Sequence, residues 1–388
     1  MFIEHRGEGA RVVRRKAAAP PILPGYSYIR PLGSGGFADV YLFEQDMPRR
    51  VVAVKVLVDD AVNPEVIRTF NAEADIMARL SAHASIVTIY QASISADGRP
   101  YFVMEYCPDT MSARYKKGPL AVGEVLDTGV RMAAALETAH RSGLLHRDIK
   151  PSNILISSLG TPVLADFGVA AALEPLDDTE EVFAMSVPWS SPEVLDQRVT
   201  GSVASEVWSL GATLYTLLAG RSPFESTDRE KNRRDVLTAR VLKAKYTPIG
   251  RPDVSPKVEQ ILARSMSKDP AARQESMYAL GEELRWAQYE LGIAPTTLEV
   301  AAAEWAAAGA PVDFASSAPR GPVISTVNKD SRRAARAAQA YTARRNDDDG
   351  VLPPKAAAPW KAAVLGGVVG AAVLAVVGVV VLFALGYL

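Results

Sequence analysis

The spacing of apolar positions changes character near residue 106. Before that point the chain is β-rich. Tyr26–Leu32, Ala38–Phe43 and Val51–Val58 alternate apolar and polar residues, the two-residue period of half-buried strands. Asn63-Pro64-Glu65 reads as a helix start, with a capping side chain, a proline in the first turn and an early acid. Ile67, Phe70, Ala74, Met77 and Leu80 then recur at helical spacing. Two more strands are predicted over Ile86–Ala92 and Tyr101–Tyr106. Beyond them the pattern is mainly helical. One helix is predicted over Val122–His140, with Gly143 at its end, and another over Ala204–Ala219, stopped by Gly220 and Pro223. Between these helices, Ile154–Ile156 and Val163–Ala165 flank a turn at Ser158-Leu159-Gly160 and read as a short hairpin. A sheet-rich part followed by a helix-rich part predicts an α+β architecture in two lobes.

The two ends differ from this globular part, which covers residues 26–292. Residues 1–25 form a basic arm carrying Arg11, Arg14, Arg15 and Lys16, then Pro20, Pro21 and Pro24. A solvated tail is the plain reading, and weak attraction to anionic lipid the sharper one. Residues 293–360 are rich in alanine and proline, with an arginine cluster (Arg332, Arg333, Arg336, Arg344 and Arg345) ahead of Asp347, Asp348 and Asp349. That composition is a linker's, and a short alanine-rich helix near 297–308 is the alternative. Residues 362–388 contain no charge in 27 positions. At about 1.5 Å per residue such a helix is roughly 40 Å long, more than the ~30 Å hydrocarbon core of a bilayer. A single transmembrane helix over 361–386 is therefore expected. Lys355 and Lys361 lie just before it, Trp360 suits an interfacial position, and nothing basic follows. Positive charge stays on the cytoplasmic side, so the expected location is the plasma membrane with the globular part in the cytoplasm. Only Gly386, Tyr387 and Leu388 would face outward.

Charge and composition narrow the chemistry. Lysine plus arginine number 43 and aspartate plus glutamate 44, a net charge of −1, which argues against a nucleic-acid-coating surface. Hydrophobic residues make up 48%, so the chain as a whole is not disordered. One cysteine, Cys107, excludes an internal disulfide and a cysteine-built metal site. The four histidines lack the spacing of a zinc site.

Chemistry-bearing residues gather in a few short runs. Leu32-Gly33-Ser34-Gly35-Gly36-Phe37-Ala38-Asp39-Val40 places glycines between two strands, where backbone N–H groups can approach phosphate oxygens; a plain glycine-rich hairpin explains the same run. Val52-Ala53-Val54-Lys55 puts a lysine in an apolar strand, either an edge lysine facing water or a fixed ammonium for phosphates. Glu73 on the following helix is a surface acid or that lysine's partner. His146-Arg147-Asp148-Ile149-Lys150-Pro151-Ser152-Asn153 crowds histidine, arginine, aspartate, lysine and asparagine into eight residues between a helix end and a strand. Asp166-Phe167-Gly168 follows the hairpin, its carboxylate placed to hold a divalent ion.

Together, in this order and spacing, these motifs resemble the eukaryotic-type (Hanks-type) protein kinases, specifically the membrane-anchored serine/threonine kinases of bacteria. The resemblance covers about residues 26–290. It implies a bilobal kinase fold with an N-lobe over 26–106 and a C-lobe over 107–292, using ATP and Mg²⁺. By resemblance, the loop Leu32, Gly33, Ser34, Gly35, Gly36, Phe37, Ala38 and Val40 covers the ATP phosphates, and Ala53 lines the nucleotide site. Lys55 contacts the α- and β-phosphates and is held by Glu73. Met104 guards the back of the adenine pocket, and Glu105 to Cys107 offer backbone hydrogen bonds. Asp148 orients the substrate hydroxyl, Lys150 stabilises the transferring phosphoryl group, and Asn153 and Asp166 hold magnesium. Asn and Asp oxygens suit that hard cation. Ser191-Pro192-Glu193 resembles the end of the activation segment, with Arg273 as the partner of Glu193.

Three positions depart from the family pattern. Ala38 replaces the third glycine of the phosphate loop, Glu206 replaces the aspartate of the central helix, and Met185-Ser186 stands for Gly-Thr. Thr179 and Ser186 are the candidate sites for an activating phosphate that would pair with Arg147. Gly366 and Gly370 are spaced as in helix dimers, by function or by chance in so glycine-rich a span. Expected partners are therefore protein substrates, the membrane and a second copy of the chain. A catalytically dead scaffold and a small-molecule phosphotransferase are the competing readings. The presence of Lys55, Asp148 and Asp166 counts against the first, and the Ser191-Pro192-Glu193 segment against the second.

Overall fold

The computed structural model describes residues 18–35, 38–58, 64–167 and 186–301, apart from the side chains of Arg229 and of several residues of the first helix, Glu73 among them. The expected transmembrane helix lies outside the described residues, as do Gly36, Phe37, Gly168, Thr179 and Met185.

Five strands form one twisted antiparallel sheet: β1 (Tyr26–Ser34), β2 (Ala38–Gln45), β3 (Arg50–Leu57), β4 (Ile89–Ile94) and β5 (Pro100–Glu105). Their spatial order is β1-β2-β3-β5-β4, which makes β3 the central strand. One face of the sheet buries Tyr41, Phe43, Val52, Val54, Tyr101 and Val103 together with Leu23. The other buries Ala53, Leu57, Phe102 and Met104 with Phe70 of helix α1 (Pro64–Leu80). The alternation that predicted the strands is thus the alternation between two small cores. The fourth strand starts three residues later than its apolar run suggests. Ile86 instead makes an isolated parallel bridge to Leu164, because Val87 N–H is bonded to the Leu164 carbonyl.

The second lobe is helical. Short α2 (Met111–Tyr115) precedes α3 (Val122–Arg141), and α4 (Pro192–Leu195), α5 (Val203–Ala219), α6 (Arg234–Lys243), α7 (Pro256–Ser265) and α8 (Met277–Glu290) follow. Helix α5 is buried almost all round, so it has no polar stripe and serves as the axis of the lobe. Ser202 caps it reciprocally with Ser205, and Gly220 ends it at φ +70°. Backbones meet closely at Gly211, where a Cβ would lie 2.6 Å from that of Ser265 on α7. A second sheet, β6 (Asp109–Thr110), β7 (Ile154–Ile156) and β8 (Pro162–Leu164), sits under the first lobe. Residues 297–301 form no helix, and the rest of the alternative helix, 302–308, lies outside the described residues.

The predicted partnership of Glu193 and Arg273 is present and buried. The two make a fork-to-fork pair at 2.6 and 2.9 Å. Arg273 also donates to the carbonyls of Ala204 and Ser267, so the guanidinium ties α4, α5 and the α7–α8 connection together. Burial raises the Glu193 pKa, but the hydrogen bonds and charge of Arg273 outweigh it, and the net shift is downward. A lowered pKa means the pair stabilises the fold above the unfolded carboxylate value of about 4.3 and loses that contribution as pH falls through the folded value. Arg273→Met should destabilise by about 3–5 kcal/mol, because it leaves the Glu193 charge buried without its partner. Denaturant titrations at pH 7 and below pH 4 should show the variant closest to the wild type at the acid end.

Candidate active site

Lys55 lies on the central strand, paired with Val40 on one side and Phe102 on the other, which removes the edge-lysine reading. Its side chain is only 16% exposed. Nζ donates to Oδ1 of Asp166 at 2.7 Å, joining residues 111 positions apart in the chain. The Lys55 ammonium therefore holds the half-exposed Asp166 carboxyl below the usual range, against the opposing cost of desolvation. Glu73 sits on α1, but its side chain lies outside the description, and so does its expected pairing with Lys55.

The run from His146 to Asn153 wraps around Asp148. Lys150 Nζ approaches Asp148 Oδ2 at 2.6 Å, and Asn153 Nδ2 donates to the Asp148 carbonyl at 2.8 Å and to Oδ2 at 3.0 Å. Ser186 Oγ donates to Oδ1 at 2.6 Å and accepts from Lys150 Nζ at 3.2 Å. Burial pushes the Asp148 pKa up, but Lys150 and the hydroxyl of Ser186 outweigh it, so the carboxylate stays ionised. Buried His146 fixes the loop from beneath. One ring nitrogen contacts the Ala165 carbonyl and the other accepts from the Asp148 N–H, which assigns the proton to Nε2. Its ring packs against Phe167, with centroids 4.7 Å apart.

Two residues here carry a backbone that side chains disfavour: Arg147 at φ +66° and Asp166 at φ +60°. Each such position costs about 1–3 kcal/mol and persists only where its surroundings enforce it. At Arg147 the enforcer is Glu206. Its Oε1 accepts from the Arg147 N–H at 2.6 Å, and its Oε2 meets His140 Nε2 at 2.6 Å. The longer glutamate thus still supports the loop, with its second oxygen braced by α3.

Leu32, Ala38, Val40, Ala53, Met104 and Cys107 line one apolar cluster below the first sheet, as expected for a nucleotide site. Leu155, Val163 and Ala165 close it from the other lobe. These were not among the sequence candidates. Leu155 could have been found, because it faces away from buried Ile154 and Ile156 on the same strand. A cavity of about 20 Å³ lies behind Met104, between Lys55 and Phe167, room for no more than one water. Burial, with Glu105 nearby, pushes the Cys107 thiol up to about 12, so it is not a nucleophile. The Glu105 N–H is bonded to the Thr88 carbonyl, so of its backbone groups only the carbonyl remains a candidate for adenine. Gly33 and Ser34 end β1, and Gly35 makes a tight turn onto Ala38, its N–H 2.9 Å from that carbonyl. A Cβ at Gly35 would crowd the same oxygen at 3.3 Å.

Among the described residues no group of three or more His, Cys, Asp or Glu could hold a metal ion. Asn153 and Asp166 therefore offer a partial set of hard oxygen donors. This fits magnesium, which keeps several waters and takes the rest of its shell from substrate phosphates.

Residues 26–284 match the model of the family described as "Protein kinase domain". The chain is 38% identical over 278 residues to the serine/threonine-protein kinase PknK of Mycobacterium bovis, covering 69% of this chain and 24% of PknK. It is 35% identical over 270 residues to the serine/threonine-protein kinase PrkC of Bacillus subtilis, covering 68% and 40% of the two chains. The match thus spans less than half the length of either relative. The crystal structure of the Mycobacterium tuberculosis PknI kinase domain superposes with a TM-score of 0.52 at 27% identity, covering 69% of this chain and 98% of that domain.

Glu206→Ala removes both bonds that hold the loop. An unsatisfied buried group costs about 1–3 kcal/mol, so turnover should fall roughly 10- to 100-fold while nucleotide affinity changes little. Glu206→Gln, which keeps an acceptor for the Arg147 N–H, should fall less; steady-state kinetics with calorimetric nucleotide binding checks both.

Proposed function

Because this chain belongs to the protein kinase family, we propose that it transfers the γ-phosphoryl group of ATP to serine and threonine hydroxyls of proteins. The observation that carries this reading is the seat of Ser186: a serine hydroxyl donates to Asp148 Oδ1 while Lys150 touches both groups. A substrate hydroxyl in that place would give its proton to the ionised Asp148. Lys150 would steady charge on the transferring phosphoryl oxygens, and Lys55 would hold the phosphates that stay behind. Asn153 and Asp166 would hold magnesium, which supplies the remaining positive charge. Catalysis on this plan is alignment plus electrostatics, with the cationic and anionic groups already paired before substrate arrives. The names of PknK and PrkC support serine and threonine as acceptors. The buried Glu193–Arg273 pair fixes the end of the activation segment, which favours a protein substrate over a small molecule.

The second part of the proposal is a membrane anchor. Its support is the uncharged run 362–388 with Lys355 and Lys361 on one flank. Among the described residues no helix is long and apolar enough to cross a membrane. On this reading residues before the span are cytoplasmic, and the Gly366/Gly370 pair lets two copies associate.

Asp148→Asn should reduce incorporation of radiolabelled phosphate from ATP by about 10²- to 10⁴-fold while nucleotide still binds. Equal incorporation in the variant and the wild type would remove Asp148 from the reaction. Carbonate-washed membranes should retain the full chain and release one truncated before residue 355; full-chain protein found in the wash would defeat the anchor.

A further inference from the structure

The chain does not leave the helical lobe at the end of α8. Gly292, at φ +70°, reverses it, and the Ile293 N–H bonds back to the Gln288 carbonyl at 2.9 Å. From there residues 293–301 run extended over the domain. Thr296, Leu298 and Val300 are half-buried, whereas Thr297 and Glu299 are exposed, the two-residue period of a strand laid on a surface.

Each inward contact is specific. The Thr296 N–H donates to Oε1 of buried Gln288, and Gln288 Nε2 donates to the Thr296 hydroxyl, both at 2.8 Å. That hydroxyl in turn donates to Asp127 of α3 at 2.8 Å. Leu298 sits over Gly281 of α8, where a Cβ would come within 2.7 Å of its Cδ1. The Ala301 N–H reaches the Thr138 hydroxyl of α3 at 3.2 Å. Between these anchors, the Glu299 carbonyl accepts from His83 Nε2 at 2.7 Å.

His83 is the contact with consequences. It lies in the turn that joins α1 to β4, and its Nδ1 accepts from the Ser85 N–H at 3.0 Å. The Ser85 carbonyl then accepts from the Leu164 N–H, and the Val87 N–H returns to the Leu164 carbonyl. Leu164 is two residues from Asp166, and α1 contributes Met77 and Leu80 to the core that buries Phe167. A continuous chain of hydrogen bonds and packing thus links residue 299 to the magnesium-holding aspartate.

We propose that residues 293–301 are a strap that positions α1 and the Asp166 segment for catalysis from outside the catalytic fold. It rests on the kinase reading above. Seated, the strap fixes the α1–β4 turn to α3 and α8 through His83. Unseated, it frees that turn and leaves α1 held on the helical lobe by Met77 and Leu80 alone.

The full chain tests this. Hydrogen–deuterium exchange of residues 293–301 and 81–87 is followed with and without magnesium and a non-hydrolysable ATP analogue, with binding measured in parallel by calorimetry. Coupling is reciprocal, so nucleotide should slow exchange in both segments together. Leu298→Ala, and separately Gly281→Ala, which evicts Leu298 from the helix side, should speed exchange in 81–87. Both should weaken nucleotide binding by calorimetry roughly tenfold, within the ~5- to 150-fold range of allosteric coupling, and lower kcat as well. Thr296→Ser, which keeps the hydroxyl, should behave as wild type. Bound nucleotide with unaltered exchange in 293–301, or a lowered melting temperature with wild-type kcat in both alanine variants, overturns the strap and leaves the kinase reading standing. Failure of nucleotide to bind at all overturns the kinase reading, and the strap with it.

Discussion

A buried carboxylate at the head of α5 sets the geometry on which the site depends. Glu206 is 2% exposed and gives one oxygen to the Arg147 N–H and the other to His140. The first bond holds Arg147 in a left-handed conformation that its side chain disfavours, and that turn aims Asp148 into the cleft. The second bond braces the glutamate against α3, whose end leads into the same loop. The carboxylate is fixed to a helix that is buried nearly all round. A strained loop held from a buried axis keeps its shape without substrate, which is what electrostatic preorganisation requires.

The charges of the site are balanced in pairs. Lys55 meets Asp166 and Lys150 meets Asp148, both within hydrogen-bond distance. The first pair joins β3 to the segment after β8, so neutralising charge there also aligns distant parts, while the second lies within one loop. Desolvation opposes the charged form of these carboxyls, and the adjacent lysines outweigh it. Glu193 and Arg273 use the same logic further from the chemistry, where a buried pair fixes chain segments relative to one another. The first lobe contributes little charge. It supplies a central strand on which Lys55 cannot swing into solvent, and an apolar roof from Leu32, Val40, Ala53 and Met104.

Much of this was legible in the chain. Strand alternation, the capped helix starts and the order of polar runs predicted the α+β division and nearly every strand. The runs around Lys55, Asp148 and Asp166 carried the candidate site, because phosphoryl transfer demands those functions and a short loop displays them together. The errors and omissions have physical causes. The apolar run at Ile86 begins as a bridge to β8 rather than as β4, since a hydrophobic run does not say which neighbour it will pair with. Leu155 and Ala165 join the apolar cluster beneath the first sheet only because the two lobes face each other. The support given by Glu206 depends on where the extra methylene points.

Local pattern determined which residue types were available and in what order, because period, capping and turn chemistry act over a few positions. Tertiary packing decided which of them meet. Lys55 and Asp166 lie 111 residues apart, and Glu299 reaches His83 across 216. Such contacts follow from how helices and sheet close around shared cores, and core packing depends on shape and volume across the whole domain. The sequence by itself therefore determined the chemistry on offer, and the folded domain decided its geometry, including the seat of residues 293–301 that composition alone had made a linker.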